Sequence, residues 1–122
     1  MRRAVALTAL LLAGCAADVV DRTTGILVEV RRGPLTPVAP PGVDDTAAVE
    51  AAQVRIQALN GRELARGSTG ADGTIALPVS AGMRVASVVT CPGALALPSP
   101  ETVEVVAGAY ARVALLCDTG IR

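Results

Sequence analysis

The sequence predicts an all-β domain, a seven-stranded antiparallel β-sandwich, and three observations lead there. Apolar residues recur at every second position in one segment after another, the period of a half-buried strand. Turn residues (Asn-Gly, Asp-Gly, Ser-Ala-Gly, Ala-Gly) separate those segments at short spacing. A proline-dense segment near the front fits neither a helix nor a central strand, because proline lacks a donor and fixes its own torsion. Seven short strands at this spacing make a sandwich the favoured architecture.

The chain opens on Met1-Arg2-Arg3, followed by small and apolar residues from Ala4 to Ala13. A charged start, a short apolar run and then small residues is the layout of a secretory signal. The run is about half of the roughly 20 residues that span a bilayer as a helix, so it reads as an export leader and not a permanent anchor. Its end, Leu12-Ala13-Gly14-Cys15, resembles the bacterial lipobox. The peptidase needs small residues to approach the extended backbone, and the cysteine thiolate accepts a diacylglyceryl group. The resemblance implies a mature N-terminus at Cys15 carrying lipid, with residues 1–14 removed. Ala16 stands where an aspartate would favour retention in the inner membrane of a two-membrane cell. Residues 15–24 then read as a lipidated tether, and residues 25–122 as the domain.

Gly25 to Arg31 is the first strand, with Ile26, Val28 and Val30 on one face and Glu29 and Arg31 on the other. Gly33 to Gly42 holds Pro34, Pro37, Pro40 and Pro41 and begins a long loop reaching about Val49. A helix across Asp45 to Ala52 is the alternative there, because its Ala and Glu are good helix formers; strand continues better from Val49 to Val54. Ala52 to Leu59 turns Val54, Ile56 and Ala58 inward. Asn60-Gly61 marks a hairpin, since both positions tolerate positive φ, and Glu63 to Thr69 returns. After Asp72-Gly73, the strand Thr74 to Val79 places Ile75, Leu77 and Val79 on one face. Ser80-Ala81-Gly82 leads to Met83–Cys91, with Val85, Val89 and Cys91 in phase. Pro92 to Pro100 is a second proline-bearing connection. Thr102 to Val106 puts Val103 and Val105 inward, and Ala109 to Cys117 puts Val113, Leu115 and Cys117 on one face.

Composition narrows the functional classes. Arg2 and Arg3 leave with the leader, so nine of the eleven basic residues, all Arg, face eleven acids, a net charge near −2. A weakly acidic surface argues against nucleic acid and against a polybasic membrane-binding face. With no His, imidazole acid–base chemistry and His-based triads are excluded. Two cysteines remain after Cys15. An even count in an exported chain predicts a disulfide between Cys91 and Cys117. With no Phe or Trp the core is thin, and a bridge across this loop is worth about 3–4 kcal/mol.

The pattern resembles bacterial envelope lipoproteins carrying a carboxypeptidase regulatory-like domain. Four pieces carry the match over residues 25–122: Gly33-Pro34-Leu35-Thr36-Pro37-Val38, Ala52-Gln53-Val54-Arg55-Ile56, Thr69-Gly70-Ala71-Asp72-Gly73-Thr74-Ile75-Ala76-Leu77-Pro78, and Asp118-Thr119-Gly120-Ile121-Arg122. The resemblance implies a transthyretin-like (prealbumin-like, Ig-like) sandwich. The family often has a cysteine near the position of Thr36 and another in the proline loop; this chain has neither. Transthyretin-like hydrolases rely on His and a tyrosine-bearing tail, both missing here.

The expected function is therefore that of a non-enzymatic, membrane-anchored module that binds an envelope protein or glycan, on the periplasmic or extracellular side. A structural spacer of an envelope assembly is the alternative, and an accessory domain of a hydrolase a third. Pro34, Pro37, Pro40 and Pro41 form the candidate partner loop, because prolines lower the ordering cost on binding. Asp44, Asp45, Asp72 and Asp118 read as turn formers and not as calcium ligands, which would have to converge on one point. Cys91 and Cys117 without further His or Cys make no zinc site. The ending, Asp118 to Arg122, reads as structural, with Asp118 and Thr119 bonding a neighbouring loop. No catalytic residue, metal or cofactor is expected.

Overall fold

Alternation places each predicted strand, and tertiary pairing sorts them into two packed sheets. The computed structural model describes residues 22–121. Leu12, Ala13, Gly14 and Cys15 lie outside the described residues. The strands are β1 (Gly25–Gly33), β2 (Ala47–Ala48), β3 (Gln53–Ala58), β4 (Glu63–Ser68), β5 (Thr74–Pro78), β6 (Gly82–Thr90), β7 (Glu101–Val105) and β8 (Tyr110–Asp118), with no helix among the described residues. The seven predicted strands are all present; the two-residue β2 is an addition.

One sheet runs β4-β3-β6-β7. In the other, β1 is central: β8 covers one edge, while β5 and β2 share the opposite edge, at Gly25–Glu29 and Arg31–Arg32 respectively. The β1–β8 pair is parallel over all nine residues, from Gly25↔Tyr110 to Gly33↔Asp118, and the other strand pairs are antiparallel. A parallel neighbour needs no hairpin, and here it joins the first and last long strands of the domain.

The inner faces are those the alternation assigns to β1, β3, β5, β7 and β8. Ile26, Val28, Val30, Val54 and Ile56 are fully buried, and Leu77, Val79, Val105, Val113, Leu115 and Cys117 pack against them. On β6 the assignment is corrected. Ala86 and Val88 enter the core, not Val85 and Val89. The cause is a register shift: Val54 pairs with Val88 but Gln53 pairs with Thr90, so Val89 is an extra residue. That bulge returns Cys91 to the inner side.

The helix considered for Asp45 to Ala52 does not form. Ala47 and Ala48 pair with β1, Val49 is buried, and Ala51 turns the chain at φ 65°. Thr69 holds this turn. Its hydroxyl donates to the Val49 carbonyl at 2.5 Å and accepts from the Ala52 N–H at 3.0 Å.

The Asn-Gly and Asp-Gly turns share one geometry. At Leu59-Asn60-Gly61, the Gly61 N–H bonds the Ala58 carbonyl and the Ala58 N–H bonds the Arg62 carbonyl, both at 2.9 Å. The Gly73 N–H bonds the Gly70 carbonyl (2.9 Å) and the Gly70 N–H bonds the Thr74 carbonyl (3.1 Å). Only the glycine adopts positive φ in each, 91° and 78°; Asn60 does not. Three-residue loops of this kind put one residue in the left-handed region. The glycines differ in their surroundings. A Cβ on Gly73 would sit 2.7 Å from the Val30 carbonyl oxygen and 3.1 Å from the Val49 nitrogen, whereas one on Gly61 would meet nothing within 4 Å. Gly61→Ala is therefore expected to cost about 1 kcal/mol of unfolding free energy and Gly73→Ala at least about 2 kcal/mol. Equal losses in urea titrations of the two variants would contradict the steric part of that account.

Candidate functional site

The topology separates the domain into two ends, and the predicted site residues among those described fall at one of them. β1 rises roughly 26–30 Å over its nine residues. Where it begins, the described chain enters against β8. The Tyr110 hydroxyl donates to the Arg22 carbonyl (3.0 Å), and the buried Thr24 hydroxyl accepts from the Gly108 N–H (2.8 Å). Domain contacts thus reach into residues that the sequence assigns to the tether.

Three segments meet where β1 ends: the proline loop, the connection after β6, and the residues after β8. Thr119 ties the last of these to the first, its N–H bonding the Gly33 carbonyl (3.1 Å) and its hydroxyl the Pro34 carbonyl (2.5 Å). The Asp118 carbonyl accepts from the N–H groups of Leu95 (2.7 Å) and Ala96 (3.1 Å). The expected bonding of Asp118 and Thr119 to neighbouring loops is thus present, while Arg122 lies outside the described residues. Cys91 and Cys117 form a disulfide with Cα atoms 6.7 Å apart. It links the chain just after β6 in one sheet to β8 in the other, directly beneath these loops.

Within the proline loop, Pro34 is half-buried and Pro37, Pro40 and Pro41 are exposed. Pro40-Pro41-Gly42-Val43 closes as a tight turn, the Val43 N–H bonding the Pro40 carbonyl at 3.2 Å with Gly42 at φ 80°. The base of the loop is held by polar contacts. Arg31 donates to the Thr46 hydroxyl (2.6 Å) and to Asp44 (3.2 Å), the Thr46 hydroxyl donates to Asp44 (2.6 Å), and Thr36 donates to Asp45. The Thr46 hydroxyl, aided by Arg31, holds the Asp44 carboxyl below its ordinary range. The Thr74 backbone N–H does the same for Asp72. Asp118 accepts from the Gly120 N–H. Each of the four aspartates serves its own turn, and among the described residues no three His, Cys, Asp or Glu side chains converge.

The sequence did not single out the apolar side chains of this end. Leu35, Val38, Leu95 and Leu97 are all exposed, Val38 at 85%. Leu95 and Leu97 sit in the second proline-bearing connection, where strand alternation gives no signal. A separate shallow recess of about 250 Å³ opens on the outer face of the β1 sheet, lined by Leu27, Glu29, Thr74, Arg112, Val113 and Ala114. That is smaller than the range of roughly 300–1,000 Å³ usual for small-molecule pockets. No helix among the described residues is long and apolar enough to cross a membrane.

No family model and no curated protein matches the chain. Among solved structures, the chain is similar to the minor pilin of the Gram-positive pathogen Streptococcus agalactiae. The TM-score is 0.61 at 12% identity, covering 78% of this chain and 44% of the pilin. The chain therefore spans less than half the length of that protein, and the likeness is one of β-sandwich fold. It also aligns with the 5-hydroxyisourate hydrolase of Klebsiella pneumoniae, at a TM-score of 0.48 and 18% identity over 78% of this chain and 91% of the enzyme. That score is too low to bear on fold or activity.

Proposed function

We propose that the protein is a non-enzymatic binding module of the bacterial cell envelope, tethered by lipid on Cys15 and offering its loop end to an envelope protein or glycan. One observation carries this reading: the described chain enters the sandwich at one end, and the proline loop with its exposed apolar neighbours stands at the other. A tether at the first end points the second away from the membrane. The loop end also suits binding physically. Proline and the tight turn at Gly42 restrict the free loop, so less ordering is lost on contact. Leu35, Val38, Leu95 and Leu97 supply apolar area, while the disulfide and the Thr119 bonds fix the base beneath them.

The tether is tested by the intact mass of the membrane-extracted protein. Loss of residues 1–14 together with added acyl mass is expected, and an unmodified Cys15 would remove the anchor from the reading. The binding surface is tested by cross-linking in intact cells with Val38→Asp and Leu97→Asp variants. Both positions are exposed, so the fold is retained. A partner held stoichiometrically by the unsubstituted protein is expected to weaken at least tenfold, the loss typical of a central interface residue at about 1.4 kcal/mol or more. Unchanged recovery with both variants would favour a spacer whose loop end contacts nothing.

A further inference from the structure

The end where the chain enters carries its own exposed apolar group. Leu59 is 66% exposed, Met83 41% and Val106 59%, on or just beyond three neighbouring strands of the β4-β3-β6-β7 sheet. The ladder brings them together. Ala58 pairs with Arg84, which sets Leu59 level with Met83, and Gly82 pairs with Val105, which sets Val106 one residue further towards the rim. Neighbouring strands lie about 4.8 Å apart, so the three form one patch. Val105 faces the core, so Val106 faces outward.

The surroundings of the patch are those of an interfacial surface. Among the described residues, Arg84 bonds the Ser80 hydroxyl and the carbonyls of Ser80, Ala81 and Met83. Among the described residues, neither it nor Arg62 in the β3–β4 turn has a carboxylate within ion-pair distance. Tyr110, with its hydroxyl on the Arg22 carbonyl, lies at the same end but on the β1 sheet, away from the patch. Glu104, opposite Met83, is the acid of the patch. Large aliphatic side chains with arginine at their rim match the boundary between headgroups and acyl chains. Reach adds a second argument. Seven residue steps separate Cys15 from Arg22, at most about 25 Å when fully extended. Lipid on Cys15 would hold this end, and not the loop end, within that distance of a bilayer.

We infer that Leu59, Met83 and Val106 rest on the phospholipid surface that holds the anchor, fixing the domain upright. The inference rests on the anchored reading proposed above. The protein has no tryptophan, so one introduced tryptophan is the sole reporter of its position. Leu59→Trp, Val106→Trp and Val38→Trp all fall on exposed positions. Each lipidated full-length variant is reconstituted into phosphatidylglycerol–phosphatidylcholine vesicles with brominated acyl chains, and flotation establishes that it is anchored. Emission of Leu59→Trp and Val106→Trp is expected to shift to the blue and fall about twofold or more, since amphipathic surfaces sit roughly 5–10 Å into the headgroup–acyl boundary. Val38→Trp is expected to stay unshifted and unquenched. Floating protein with all three equally unquenched overturns the contact while leaving the anchor intact. Protein that does not float overturns the anchor and the contact with it. A blue shift that needs no bilayer and follows protein concentration assigns the patch to a second copy of the chain and overturns the lipid contact.

Discussion

Reduction of the Cys91–Cys117 bridge is expected to lower the unfolding free energy by about 3.5 kcal/mol, the chain-entropy value for its 26-residue separation. For a domain of this size, whose total stability falls in the range of about 5–15 kcal/mol, that is a large fraction. Two features make the loss hard to absorb. The core is built from Val, Ile, Leu and Ala with no buried aromatic ring, so it has little surplus burial. The bridge also joins the two sheets, where side-chain packing is otherwise the main link. Urea titrations with and without reductant are the measurement. With a slope of roughly 1–2 kcal/mol/M, the midpoint is expected to fall by about 2–3.5 M. An unchanged midpoint would mean that the bridge constrains neither the native nor the unfolded chain. The Cys91→Ser and Cys117→Ser variants should match the reduced protein, with Cys117→Ser somewhat worse, because Cys117 is fully buried and a hydroxyl there needs a partner. The loop end responds as well: without the bridge, the Pro92–Pro100 connection is tied to β8 mainly through Asp118, and the binding proposed for Leu95 and Leu97 should weaken.

How much of this was legible in the sequence depends on the range of the interaction. Ile26, Val28 and Val30 announce their face through local alternation, and the structure buries all three. The glycines at 61 and 73 mark turns because the constraint they answer is local. The β1–β8 pairing is different. Nothing in Gly25–Gly33 names Tyr110–Asp118 as a parallel neighbour, and antiparallel order was the natural expectation from a run of short connections. Val89 shows a second limit. A single extra residue moves every later side chain to the opposite face, and a bulge leaves no mark in the alternation it interrupts. At the loop end the prolines were readable as a loop, but the company of Leu95 and Leu97 was not. It arises because Asp118–Gly120 passes between two connections about 60 residues apart in sequence and bonds both. The separation of the two ends likewise follows from the parallel pair, which sets the start of β1 beside the start of β8 and the end beside the end.

Thr69→Val is expected to cost about 2–4 kcal/mol, although the side chain keeps its shape. Thr69 is only 4% exposed. Its hydroxyl sits between the Val49 carbonyl and the Ala52 N–H, and its own backbone N–H and carbonyl bond Ala52 and Ala51 at 2.9 Å each. The backbone pair survives the substitution, but the Val49 acceptor and the Ala52 donor lose their partner in a place water does not reach. Each such unsatisfied group costs roughly 1–3 kcal/mol. Relaxation is restricted from both sides: Val49 is buried and its N–H is already bonded to the Val30 carbonyl, and Ala51 is held at positive φ. Thr69→Ser separates the causes. It keeps both hydrogen bonds and removes one methyl, so its loss should be near 1 kcal/mol. Equal losses for Val and Ser would assign the role of Thr69 to packing and not to the hydroxyl. Amide exchange gives an independent readout, because Thr69→Val should speed exchange at Ala52 more than at Val54, two residues further into β3. The turn also supports the proline loop, since Ala47 and Ala48 close that loop against β1 just before Val49. Loosening it should therefore raise exchange at Leu35, whose N–H bonds the Asp45 carbonyl, and leave the Asn60-Gly61 hairpin at the far end unchanged.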